Sequence, residues 1–195
     1  MGLELYTTER VHRAVIFNAR VKGDTASYKR NLSKGRTFQL GPFSITAFEV
    51  PHDGHDNMGY MLEYEGKRLV IATDLGHIPE SVSQYLQQAH YLVLETNYDQ
   101  DMLDTGHYPQ SLKKRISQPL GHLANHITAA YIAAQYPPAL SHLFLCHLSK
   151  ENNRPELAHA AVASALTQRG LCLEKDIQLH CLPRGIPSPC FILSP

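Results

Sequence analysis

Three apolar stretches of this 195-residue chain run directly into side chains that bind metals. FSITAFEV leads through Pro51 to His52, KRLVIAT leads to Asp74, and SHLFLC leads to His147. Imidazole nitrogens and a carboxylate oxygen are donors suited to Zn²⁺ or Mn²⁺. Rigid strands hold such groups steady, and the loops beyond their ends leave space for a substrate. Singly, a His or Asp after a strand more often caps a turn or meets solvent. Jointly, the three form a metal constellation, and spacing alone does not choose between these readings. The chain has 12 histidines, which suits metal chemistry without deciding for it.

The elements that would position these residues follow from apolar periodicity. FSITAFEV alternates as a half-buried strand does, and MGYMLEYEG is the next strand, with Glu65-Gly66 as a hairpin turn. KRLVIAT is a continuous apolar run. Pro79 opens a short helix, PESVSQYLQQA, and HYLVLETN is another buried strand. SLKKRIS reads as a short basic helix, and Asn125 as the N-cap of HITAAYIAAQY. SHLFLCHLS is a strand; Pro155 then starts a helix that Gly170 stops, and IQLHCLP follows. Asn152 and Asn153 read as caps for that helix. Before residue 40, VHRAVIF reads as a short β-branched strand and TASYKRNLSKGR as a polar loop. YDQDMLDTGHYPQ has no period and reads as a long loop. Strands alternating with helices predict α/β layers, in one domain over residues 1–195.

Bulk properties exclude less than they suggest. The 18 basic and 18 acidic residues balance, so overall charge does not mark a nucleic-acid binder, although a local patch or a metal can still hold phosphate. No apolar run is long enough to span a membrane, and the N-terminus lacks a signal pattern, which makes the cytoplasm the expected location. None of the four cysteines forms a C-x-x-C pair. Cys146 lies in the core-like run LFLC; Cys172, Cys181 and Cys190 could be read as a zinc site, but their wide, irregular spacing favours a plain structural role.

In order, VPHDGHDNMGY, LVIATDLGHIP, LVLETNYDQDML, YPQSLKKRI, GHLAN and HLSKENN resemble the second half of the metallo-β-lactamase superfamily. The likeness covers most of residues 40–160 and is strongest to the WalJ/YycJ branch. It implies an αββα sandwich of two similar halves, with a site for up to two metal ions at one edge between them. This chain would supply the C-terminal half and part of the first. The resemblance implies His52, Asp74 and His147 as ligands, with Asp74 bridging the ions. It implies His122, in GHLAN, as a general acid or phosphate contact. Glu95 and Asn97 match a Glu-x-Asn element, from which Glu95 would orient His122 or a ligating histidine by a hydrogen bond. The implied reaction is attack of a metal-activated water on a phosphodiester, with DNA as substrate. Lys113, Lys114 and Arg115 then become candidate phosphate contacts, against the plainer reading of a solvated helix face.

The chain departs from the pattern in three places. Tyr98 stands where the branch has His, and Ala124 where Ser is common. The first ligand motif, His-x-His-x-Asp-His, is absent; HDGHD at 52–56 has the wrong spacing. The chain therefore reads as starting partway through the fold. Two functions follow: a hydrolase completed by an N-terminal segment or partner chain, or a catalytically inactive remnant or interaction module. A metal-free α/β protein is a third reading, and it predicts that His52, Asp74 and His147 lie far apart. A missing half also bares an apolar sheet face, which predicts marginal stability, aggregation or a homo-oligomer. His55, His77 and His107 read as loop residues near the site, and the other histidines as surface or core-edge groups.

Overall fold

A computed structural model describes residues 3–18 and 26–193. The chain opens with strand β1 (Leu5–Thr7), helix α1 (Glu9–Ile16) and strand β2 (Lys29–Asn31), the two strands pairing in parallel. Then come β3 (Thr37–Leu40), β4 (Phe43–Glu49), β5 (Met58–Tyr64) and β6 (Lys67–Ala72). Helix α2 (Glu80–Leu86) leads to β7 (Tyr91–Glu95), and α3 (Gln100–Thr105), α4 (Gln110–Ser117) and α5 (Asn125–Ala134) lead to β8 (His142–Cys146). Helix α6 (Pro155–Gln168) and β9 (Gln178–Cys181) complete the series.

Strands β3 to β9 form one seven-stranded sheet in sequence order. The pairings are antiparallel from β3 to β6 and parallel from β6 to β9. Glu65 (φ 48) and Gly66 (φ 76) form the two-residue turn between β5 and β6, with both residues left-handed as such a hairpin requires. Apolar side chains of α2, α5 and α6 cover one sheet face. Val70, Leu92, Leu94, Leu143 and Leu145 are sealed there against Val82, Leu86, Ile132, Val162 and Leu166. The alternate residues on the opposite face, Leu62, Leu69, Ile71 and Val93, are only half-buried. Part of that face is covered by Phe191, whose ring lies 4.8 Å from those of Phe144 and His180. At the far end, Tyr6 of β1 stacks on Phe38 of β3 at 5.4 Å.

Several segments differ from the sequence reading. VHRAVIF is mostly helical, because Thr8 caps α1 by accepting from the Val11 N–H and also donates to Asp56. His12 on that helix is buried and bonds the Arg30 carbonyl at 3.2 Å, so it is a core group rather than a surface one. The expected loop after Tyr98 contains α3, capped by Asp99, whose Leu103 packs on Tyr98 and Ala124. Ala124, not Asn125, is the N-cap of α5. Arg154 occupies the N-cap of α6, so Asn152 and Asn153 do not cap it from that position. No helix among the described residues is long and apolar enough to cross a membrane.

Candidate metal centre

The C-terminal ends of β6, β7 and β8 lie side by side, and the site forms where they stop. Asp74 and His147 follow β6 and β8, and both have left-handed backbones with φ 56. For residues other than glycine this conformation is disfavoured, and it concentrates at sites where surrounding bonds enforce it. The intervening strand supplies those bonds. Glu95 Oε2 accepts from the Leu75 N–H at 2.7 Å, and Asn97 Nδ2 donates to the His147 carbonyl at 2.7 Å. Asn97 also accepts the Ser149 N–H at its carbonyl. Asn153 ties the end of β7 to α5 by donating to the Thr96 and Asn97 carbonyls and to Asn125 Oδ1.

His52 and His122 come from loops laced to one another. The Asp53 N–H bonds the Leu120 carbonyl at 3.0 Å, and the Gly76 N–H bonds the Pro51 carbonyl at 2.9 Å. The fit is tight: a Cβ on Gly76 would stand 2.0 Å from the Pro119 carbonyl oxygen, and one on Gly121 would stand 2.1 Å from that of Ile116.

Each imidazole gives its Nδ1–H to an oxygen. His52 donates to the Gly121 carbonyl at 2.9 Å; His122 and His147 donate to Glu95 Oε1 at 2.7 and 2.9 Å. For His52 and His122, an oxygen acceptor at Nδ1 leaves the lone pair of the neutral ring on Nε2, the arrangement of a metal-binding histidine; in His147 it is Nδ1 that also faces Asp74. Asp74 Oδ1 lies 3.6 Å from His52 Nε2 and 3.8 Å from His147 Nδ1. The ring of His122 sits between the other two, 4.8 Å from His52 and 5.2 Å from His147. Two sets of donor atoms fall within 4.8 Å of one another: His52, Asp74 and His122, and Glu95, His122 and His147. Asp74 thus lies near both His52 and His147, but the expected three do not form one donor set: His122 joins His52 and Asp74, while His147 groups with Glu95 and His122. Nitrogen and carboxylate donors of this kind fit a divalent cation.

Glu95 is the electrostatic centre of the group, with a side chain that is 0% exposed. Burial opposes its charge, but hydrogen bonds from His122, His147 and the Leu75 N–H outweigh that and hold the carboxyl below its usual range. The same bond raises the His147 imidazole, against an opposing effect of burial. Cys146 beside it is inert: burial pushes its thiol up to about 12.

Sequence reasoning passed over Asp53. Its Oδ1 lies 3.5 Å from His52 Nε2, and its carboxylate is gripped by Arg115, which holds it below the usual range. Adjacency to His52 was the available signal. His55 and His107 are exposed, and His77 donates to the Pro119 carbonyl at 2.8 Å.

Residues 3–130 match the model described as the Beta-lactamase superfamily domain, and the chain belongs to that family. The family fold implies divalent-metal binding, and the groups above are the candidate ligands here.

Its relatives narrow the branch. The chain is 31% identical over 156 residues to the exodeoxyribonuclease YycJ of Bacillus anthracis, covering 80% of this chain and 59% of that one. It is 30% identical over 179 residues to the exodeoxyribonuclease WalJ of Streptococcus pneumoniae serotype 2, covering 92% and 66%. Among solved structures, the metallo-β-lactamase fold protein YhfI of Bacillus subtilis superposes with a TM-score of 0.63 at 12% identity, covering 93% of this chain and 61% of that one. The chain thus spans about three-fifths to two-thirds of the length of these curated relatives.

Proposed function

We propose that the protein is a metal-dependent phosphodiesterase acting on DNA, with Zn²⁺ or Mn²⁺ held by His52, Asp74 and His147. The observation that carries this reading is the set of three imidazoles, each tied through Nδ1 to an oxygen, around the Asp74 carboxylate. The exodeoxyribonuclease relatives supply the substrate class. A bound divalent cation supplies Lewis acidity, lowering the pKa of water and neutralising charge on the phosphoryl oxygens. Asp74 is the carboxylate shared between the His52 and His147 sides. His122 is the proton donor to the leaving oxygen: Glu95 holds its Nδ1, and Nε2 remains to carry the proton. Glu95 and Asn97 are positioning residues, fixing the rings and the turn at His147. Unpaired cysteines agree with a cytoplasmic setting.

One observation favours a second reading. The chain contains no His-x-His-x-Asp-His, so its own donors suit one weakly held ion better than two. On that reading the chain binds metal but turns nothing over until a complementing segment or a second chain adds ligands.

The test is metal content by mass spectrometry after dialysis, beside a His52→Ala/His147→Ala double variant, followed by a nuclease assay. Metal retained by the wild type and lost from the variant supports the ligand assignment, and DNA cleavage selects the first reading. Equal background metal in both, in folded protein supplied with Zn²⁺ and Mn²⁺, removes both readings.

A further inference from the structure

Helix α4 carries three consecutive cations, and the structure separates them. Lys113 Nζ donates to the Asp104 carbonyl at 2.7 Å. Arg115 reaches the metal centre instead. Its Nε donates to Asp53 Oδ2 at 2.6 Å and its Nη2 to Asp53 Oδ1 at 3.2 Å. That carboxylate lies beside His52. Arg115, Asp53, His52, His122 and Ile116 line a small cleft of about 110 Å³. A neighbouring groove that also reaches His52 measures about 620 Å³, so the Arg115 cleft is the smaller by far. Its dimensions suit one phosphate rather than a nucleoside.

A guanidinium fork grips carboxylate and phosphate through the same paired donors. Arg115 is 64% exposed, and an exposed ion pair is weak, so a phosphate can displace Asp53 at little cost. We propose that Arg115 binds a second substrate phosphate, next to the one cleaved, and that Asp53 merely occupies the fork until a phosphate displaces it. The inference rests on the phosphodiester reading. It gives α4 a specific role, in which one cation of three selects substrates with consecutive phosphates.

The test is fluorescence anisotropy with three dye-labelled thymidine trinucleotides and the metal-supplemented full chain. One has both phosphodiesters; in each of the others a neutral methylphosphonate replaces one linkage. Arg115→Ala is expected to weaken the all-phosphate oligonucleotide about tenfold, the size of a lost charge-assisted contact. It should weaken one methylphosphonate isomer less than twofold, because that isomer already lacks the partner phosphate. Equal loss on all three, no loss on any, or no binding by the wild type would overturn the proposal. Asp53→Asn should leave affinity unchanged or tighter. A loss as large as that of Arg115→Ala would make the pair a structural bridge and also overturn the proposal. Initial anisotropy reads binding whether or not cleavage follows, so this pattern in a protein that never cleaves DNA would support the subsite and remove only the hydrolase reading.

Discussion

The two faces of the seven-stranded sheet are made of similar residues and live in different environments. On the helix-covered face, Leu92, Leu94, Leu143 and Leu145 are 0% exposed. On the other face, Val93 of β7 and Leu69 and Ile71 of neighbouring β6 are only half-buried. Strand alternation places Glu95 on the side of Val93, yet Glu95 is fully buried because His122 and His147 close over it. Tyr91 and Phe144 on this second face are buried as well, so apolar sequence sets which strands form, while the depth of burial, uneven along the second face, decides where stability resides. The candidate metal centre sits on the rim of the less covered side.

The comparison breaks most readily at the core. Leu143→Ala should cost about 3–4 kcal/mol, since a sealed cavity cannot collapse, whereas Val93→Ala should cost about 1 kcal/mol. Urea denaturation of both measures this, and equal losses would mean that the second face is as well packed as the first. Glu95→Gln tests the exception at the rim. It presents an amide donor where three donors converge, and should cost about 2–3 kcal/mol together with at least about tenfold in metal affinity. Calorimetric titration with Zn²⁺ reads the second effect.

Asp56 tests the attachment of α1. Hydrogen bonds from Lys34 and then Thr8 hold its carboxyl below its ordinary value of 3.8. Its contribution is therefore complete above that value and is lost as pH falls through the lower, folded-state value. Asp56→Asn should cost about 1–2 kcal/mol at neutral pH, and the gap from wild type should close in strong acid. A gap that persists there would assign the effect to shape rather than charge. The smallest effect on the isolated chain is expected from Val93→Lys, whose long side chain can carry its charge out to water. If copies of the chain associate through the less covered face, the same change will dissociate them in sedimentation velocity while leaving the monomer folded.

How much of this was legible depended on whether local pattern or distant partners decided the outcome. Strands β4 to β8 were readable because their apolar runs leave few alternatives, and the ends of β6 and β8 led directly to Asp74 and His147. Helix α1 was hidden because its β-branched residues suit a strand; its cap at Thr8 and the bond from His12 to the Arg30 carbonyl tip it the other way. Helix α3 had a local signal, Asp99 three residues before Met102, but it spans only six residues and shows no period. Asn125 and Asn153 looked like caps, yet their amides bond each other across 28 residues. The pair of His122 with His52 and that of Arg115 with Asp53 span the chain from α4 and α5 back to the β4 loop. No spacing rule connects residues that far apart.

The left-handed turns at Asp74 and His147 carry a consequence for anyone who breeds this protein. Glycine accepts that backbone freely, whereas other residues give up about 1–2 kcal/mol. A selection for heat resistance alone would therefore reward glycine at the two positions that hold the proposed ligands, so the site would erode while the scaffold improved.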